Sequence, residues 1–186
     1  MFLDIGVGIL VAIFTSQYYS IHLGELLVLG GILFALCPDA DFLLHFFKRG
    51  ISREDYQHRN MIHYPLLFLP LGTWIAFLLG GNVWAMLFFF CAFFHFLHDS
   101  VAIGWGIKWL YPFSSKNFVF LYHYSRIQKR GLRKLVFAFD KNTLTQMVSQ
   151  HWSDEWFHDI YYKWHPIAVV EFGVFLISVA TLYFYV

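Results

Sequence analysis

The chain has 186 residues, is 59% hydrophobic and 22% aromatic, and carries only 13% charged residues, against about 25% in soluble domains. Its formal charge of +1 excludes the clustered basic excess of a nucleic-acid binder, and its two cysteines, Cys37 and Cys91, exclude a disulfide scaffold. These numbers describe a membrane protein with one modest extramembrane portion, whose 23 Phe and 11 Tyr suit lipid-facing and interfacial positions.

A bilayer crossing takes about 20 apolar residues, and five segments are read as crossings. The first spans residues 2–19; the start, Met1-Phe2-Leu3-Asp4, lacks the basic region of a signal peptide. The second spans 23–36, is stopped by Pro38 and is expected to resume as a short helix over 42–47. The third spans 61–79, with kinks or local irregularities expected at Pro65 and Pro70. Gly80-Gly81-Asn82 predicts a tight turn into the fourth, 83–103. The insert 104–165 reads as loop plus two helical stretches, 118–139 and 143–164, lying on the membrane surface. The fifth crossing, 166–186, ends the chain.

The expected fold is therefore all-α and polytopic, with about five transmembrane helices. A four-span core covers 1–103, a helical cytoplasmic or interfacial insert covers 104–165, and a C-terminal helix covers 166–186. All 13 Lys and Arg fall within 48–59 or 108–163. The positive-inside rule puts both stretches and the N-terminus in the cytoplasm, with the C-terminus outside.

On this topology the polar residues share one layer. Asp39 and Asp41 end the second segment, and His58 and His63 flank the start of the third. His95 and Asp99 occupy the last turns of the fourth, Asp4 opens the first, and Glu171 lies near the start of the fifth. Ionisable groups are costly beside lipid, so a shared location asks for a shared reason. His95 and Asp99, at i and i+4, share a helix face and can grip one ion; a His–Asp hydrogen bond at a helix end explains that pair equally well. Asp39-Ala40-Asp41 is expected on a non-helical turn, where capping by Asp41 explains one carboxylate but not both. His58 alone reads as a solvated loop residue, whereas His63 borders apolar residues at membrane depth.

The ordered motifs Pro38-Asp39-Ala40-Asp41, His58-Arg59-Asn60-Met61-Ile62-His63 and His95-x3-Asp99 resemble those of a known family. It is the family of predicted bacterial inner-membrane metal-dependent hydrolases that contains the LexA-regulated membrane protein. Trp109-Leu110-Tyr111-Pro112-Phe113-Ser114 is also similar to that family's segment after the last motif, so the resemblance covers about residues 1–114. Two departures stand out: Asp4 lies where the family has a His, and the Gly, Thr and Ser of its H-R-G-x-T-H-S are missing from 58–64. The resemblance implies the inner membrane of a prokaryote. By ligand pattern alone the family is similar to zinc-dependent phospholipase C, which supports a reaction class only.

The expected activity is hydrolysis near the cytoplasmic leaflet by one or more divalent ions, with phosphoesters favoured over amides. Mixed His and carboxylate ligands suit zinc first, with manganese and iron open. Asp39, His63, His95 and Asp99 are the expected inner ligands, Asp41 and His58 come next, and Asp4 or Glu171 completes the shell. Arg59 and Lys108 are assigned to phosphoryl charge and His98 to proton transfer. The partner is membrane lipid, with a lipid or lipid-linked substrate; the insert is open to a protein partner, and no nucleic acid is expected. The rival is a non-enzymatic scaffold tied by a structural metal or ion-pair cluster. A transporter ranks last, because the segment middles lack charge and no repeat is visible.

Overall fold

Among the described residues, three helices are long and apolar enough to cross a membrane: Phe2–Tyr19, Pro65–Asp99 and Pro166–Tyr185. The computed structural model describes residues 1–40, 62–101, 106–122, 134–140, 142–143, 161–163 and 165–186. The chain forms two units: Met1–Ala40, Leu69–His95 and Phe157–Val186 make one, and Asp41–Phe68 with Phe96–Trp156 make the other.

The first unit contains helices α1 (Phe2–Tyr18) and α2 (Glu25–Leu36), a 3-10 turn (Cys37–Asp39), and helix α4 (Pro166–Tyr185). It also holds residues 69–95 of helix α3 (Pro65–Asp99). Its core is small: Ile9, Ala12, Ile13, Leu27, Ala35, Leu87 and Cys91 are buried together. Much of the apolar bulk faces outward instead, with Leu79 at 84% and Phe184 at 85% exposure. Lipid is as apolar as these side chains, so helices in a bilayer associate through close packing of small residues rather than through hydrophobic exclusion. Gly8 and Gly31 provide that approach between α1 and α2: a Cβ on Gly8 would lie 2.6 Å from the Gly31 carbonyl oxygen.

Pro166 starts α4 at a position where its missing N–H costs nothing, and the His165 ring accepts the Ile167 N–H at 3.3 Å. With 12 residues, α2 is shorter than a bilayer crossing. Asp39 closes the 3-10 turn that begins at Cys37, which corrects the expected non-helical turn. Pro38 suits the start of such a tight turn because its φ is already set.

Helix α3 is broken at Gly81, whose angles are φ 73° and ψ −161°. The halves fold back on each other. A Cβ on Gly72 would strike the Phe88 ring, and the Phe68 and Phe96 ring centroids are 5.5 Å apart, although 28 helical residues would span about 42 Å. The expected turn at 80–82 is present. The expected kink at Pro65 is not, because Pro65 is the first residue of the helix. The Gly81 angles are essentially restricted to glycine, and an added Cβ there would meet nothing within 4 Å. Gly81→Ala is therefore expected to destabilise the protein by about 1–3 kcal/mol through backbone strain alone. Gly173→Ala, inside α4 and with open space around it, carries no such strain and is the control in a thermal melt.

The second unit contains an antiparallel pair, β1 (Asn117–Tyr122) and β2 (Lys134–Phe139), with Phe118 opposite Ala138 and Phe120 opposite Val136. These strands correct the helix expected over 118–139. Phe118-Val119-Phe120-Leu121-Tyr122 and Leu135-Val136-Phe137-Ala138-Phe139 are rich in aromatic and β-branched residues, which favour strands. Val119 and Phe139 turn inward, whereas Leu135 and Val136 face outward. The sheet is tied to the end of α3: the Phe120 N–H donates to the Ser100 carbonyl, and the Trp109 indole donates to Ser100 Oγ at 2.7 Å. Of the expected stretch 143–164, only residues 143 and 161–163 are described, and the short helix over 42–47 lies outside the described residues.

Candidate metal centre

The first turn of α1 carries Asp4, which is 3% exposed. The N-terminal end of a helix favours a negative charge, and the Met1 ammonium lies 2.9 Å from Asp4 Oδ2. Asp4 Oδ1 is 3.2 Å from His95 Nδ1. On the opposite edge of the ring, His95 Nε2 is 3.5 Å from Asp39 Oδ1. Thus α1, the turn after α2 and the end of α3 meet at one imidazole.

In the second unit, His63 Nε2 is 3.3 Å from Asp99 Oδ2. His63 is fully buried and packs edge-on to Phe96 at 5.9 Å. The neighbouring Tyr64 stacks on Tyr111 at 4.2 Å, and Lys108 Nζ sits 5.7 Å from the Tyr64 ring centroid.

Each unit thus sets an imidazole against a carboxylate, His95 against Asp39 in the first and His63 against Asp99 in the second. Each pair offers two possible metal-ligand atoms. Around a tetrahedral zinc with bonds of about 2.0–2.1 Å, adjacent donors lie about 3.3–3.4 Å apart. The His63–Asp99 and His95–Asp39 pairs, at 3.3 and 3.5 Å, already have that spacing. The chemistry also fits, because each pair sets a carboxylate beside an imidazole, a donor mix that suits zinc.

The other expected site residues are distributed as follows. Glu171 is buried on α4, where its Oε2 accepts the Tyr161 hydroxyl at 3.1 Å. Burial first, then the Glu171 carboxylate, pushes the Tyr161 phenol well above its ordinary range, so it remains a protonated donor. Tyr161→Phe is expected to cost about 1–3 kcal/mol, read as a lower midpoint of thermal unfolding, because it removes a hydrogen bond from a buried carboxylate. Tyr161 was not legible as a partner of Glu171: no helical or strand spacing relates two residues ten apart across a helix start. His98 is half-buried in the last turn of α3, and its carbonyl accepts the Val101 N–H. Asp41, His58 and Arg59 lie outside the described residues.

No curated protein and no solved structure matches the chain. A family model described as YdjM inner membrane protein matches residues 4–186, nearly the full length. The match agrees with long apolar helices whose large side chains face outward. The chain belongs to the YdjM inner membrane protein family.

Proposed function

We propose that this chain is a metal-dependent hydrolase embedded in the inner membrane, acting at the cytoplasmic leaflet on a phosphoester of a lipid or lipid-linked substrate. The observation that carries this reading is the uneven exposure of imidazole and carboxylate within each pair. The side chains of His63 and His95 are 0% and 1% exposed, whereas those of Asp99 and Asp39 are 12% and 38% exposed. A structural ion is closed off by its ligands, while a catalytic one keeps an open position. Buried imidazoles with accessible carboxylates favour the second arrangement.

An ion held there supplies Lewis-acid polarisation of a phosphoryl oxygen and acidifies a water, with zinc the first choice and manganese or iron the others. The chain's own residues do the rest. Lys108 brings an ammonium beside Tyr64, next in sequence to His63, where it attracts a phosphate. His98 holds or returns a proton, and Arg59 pairs with phosphate charge. The cytoplasmic placement rests on the confinement of all 13 Lys and Arg to 48–59 and 108–163. A polytopic topology is supported by the fold-back at Gly81, which returns α3 to its starting side.

The test is elemental analysis of the purified protein beside Asp39→Ala and Asp99→Ala, followed by release of phosphate or headgroup from lipid phosphoesters in mixed micelles. The wild type is expected to carry about one divalent ion or more. Both variants should lose most of it, and chelation should abolish turnover until zinc is restored. The pair distances of 3.2–3.5 Å equally suit a scaffold in which protonated imidazoles tie helix ends together. A well-folded wild type without metal or hydrolysis would establish that scaffold instead.

A further inference from the structure

We infer that Asp4 is a positioning residue: it holds His95 as the Nδ1–H tautomer and so turns the bare Nε2 toward the ion. This rests on the metal-site reading above and assigns Asp4 a place outside the ligand shell.

Both carboxylate oxygens of Asp4 are engaged away from Nε2. Oδ1 lies 3.2 Å from His95 Nδ1, and Oδ2 lies 2.9 Å from the Met1 ammonium. The two nitrogens sit on opposite edges of the ring, and Nε2 is the one that faces Asp39.

A neutral imidazole has one N–H, and two carboxylates compete for it. Asp4 is closer, at 3.2 against 3.5 Å, and drier, at 3% against 38% side-chain exposure. A carboxylate attracts an N–H dipole more strongly where water does not compete, so the proton stays on Nδ1. Histidine ligands usually give their second N–H to such an acceptor, which fixes ring orientation and raises ligand basicity.

The test uses the full chain with Asp4→Asn, Asp4→Glu and Asp4→Ala. Zinc affinity is measured by chelator competition, and the coordination sphere by cobalt(II) absorption. Asp4→Asn is expected to weaken zinc about 10–100-fold with unchanged stoichiometry and an unchanged cobalt band, and Asp4→Glu to recover most of the loss. An Asp4→Ala band altered in the way that Asp39→Ala alters it would make Asp4 a ligand and overturn the proposal. Affinity within twofold of wild type in Asp4→Asn would overturn it as well.

A third readout needs no metal. The 15N spectrum of histidine-labelled protein, with His95 assigned from His95→Gln, should show Nδ1–H in the wild type and a shift toward Nε2–H in Asp4→Asn. No shift would overturn the pairing. A wild type that binds no zinc yet shows the shift would sink the hydrolase reading and leave the role of Asp4 standing.

Discussion

His95→Ala is expected to strip the metal from the purified protein and to lower its thermal stability in the same preparation. His95 contacts carboxylates from two other elements, at 3.2 Å to Asp4 and 3.5 Å to Asp39. Removing it takes away a donor and leaves the buried Asp4 without the ring it faces. Breaking a buried charged contact by deleting one partner costs about 3–5 kcal/mol. The loss of a His ligand is expected to bring metal content below about a tenth of wild type, since ligand count and geometry set affinity. Elemental analysis and a circular-dichroism melt on one sample check both effects. His95→Gln separates them: it refills much of the ring's volume and supplies a polar contact to Asp4, so stability should partly return while metal does not. Wild-type metal content in His95→Ala would remove His95 from the centre altogether.

The second large effect is expected at a position that touches no metal. Gly31→Leu should lower stability by about 3 kcal/mol, at the top of the range for overpacking, and weaken metal binding with it. A Cβ on Gly31 would collide with the Gly8 carbonyl, and one on Gly8 would lie 2.6 Å from that of Gly31. Each obstacle is backbone, which cannot rotate aside as a side chain can. Relief comes only by moving α1 away from α2. Asp4 lies in the first turn of α1 and Asp39 just beyond the end of α2, and both must reach His95. Spreading the helices by about an ångström takes at least one contact beyond hydrogen-bond length. Gly31→Ala should produce a smaller version of the same paired loss. Gly173→Leu, where an added Cβ meets nothing within 4 Å, should leave both melt and zinc affinity near wild type. Normal zinc affinity in a destabilised Gly31→Leu would uncouple the helix contact from the centre.

Much of the helical framework was legible because its signals are local. Expected segments 2–19 and 166–186 became Phe2–Tyr18 and Pro166–Tyr185, since an unbroken apolar run marks its own length. The expected turn at 80–82 was found at Gly81, whose backbone angles only glycine readily adopts.

The hairpin β1–β2 was missed because Lys and Arg scattered among the aromatics of 118–139 look like an amphipathic surface helix. The short continuous apolar runs only declare themselves as strands once they pair in register and attach to Ser100. Likewise, composition and spacing already located buried carboxylates and imidazoles near helix ends. Their division of labour was settled by packing: Asp4 on one ring nitrogen of His95, Asp39 on the other, Asp99 on His63, and Tyr161 on Glu171. The physical reason is one of range. Hydropathy and helical period act over neighbours in the chain, so residue order alone specifies helices and the donors they carry. Which oxygen meets which nitrogen depends on angstrom-scale helix approach, as at Gly8 and Gly31, and that exists only in the folded protein.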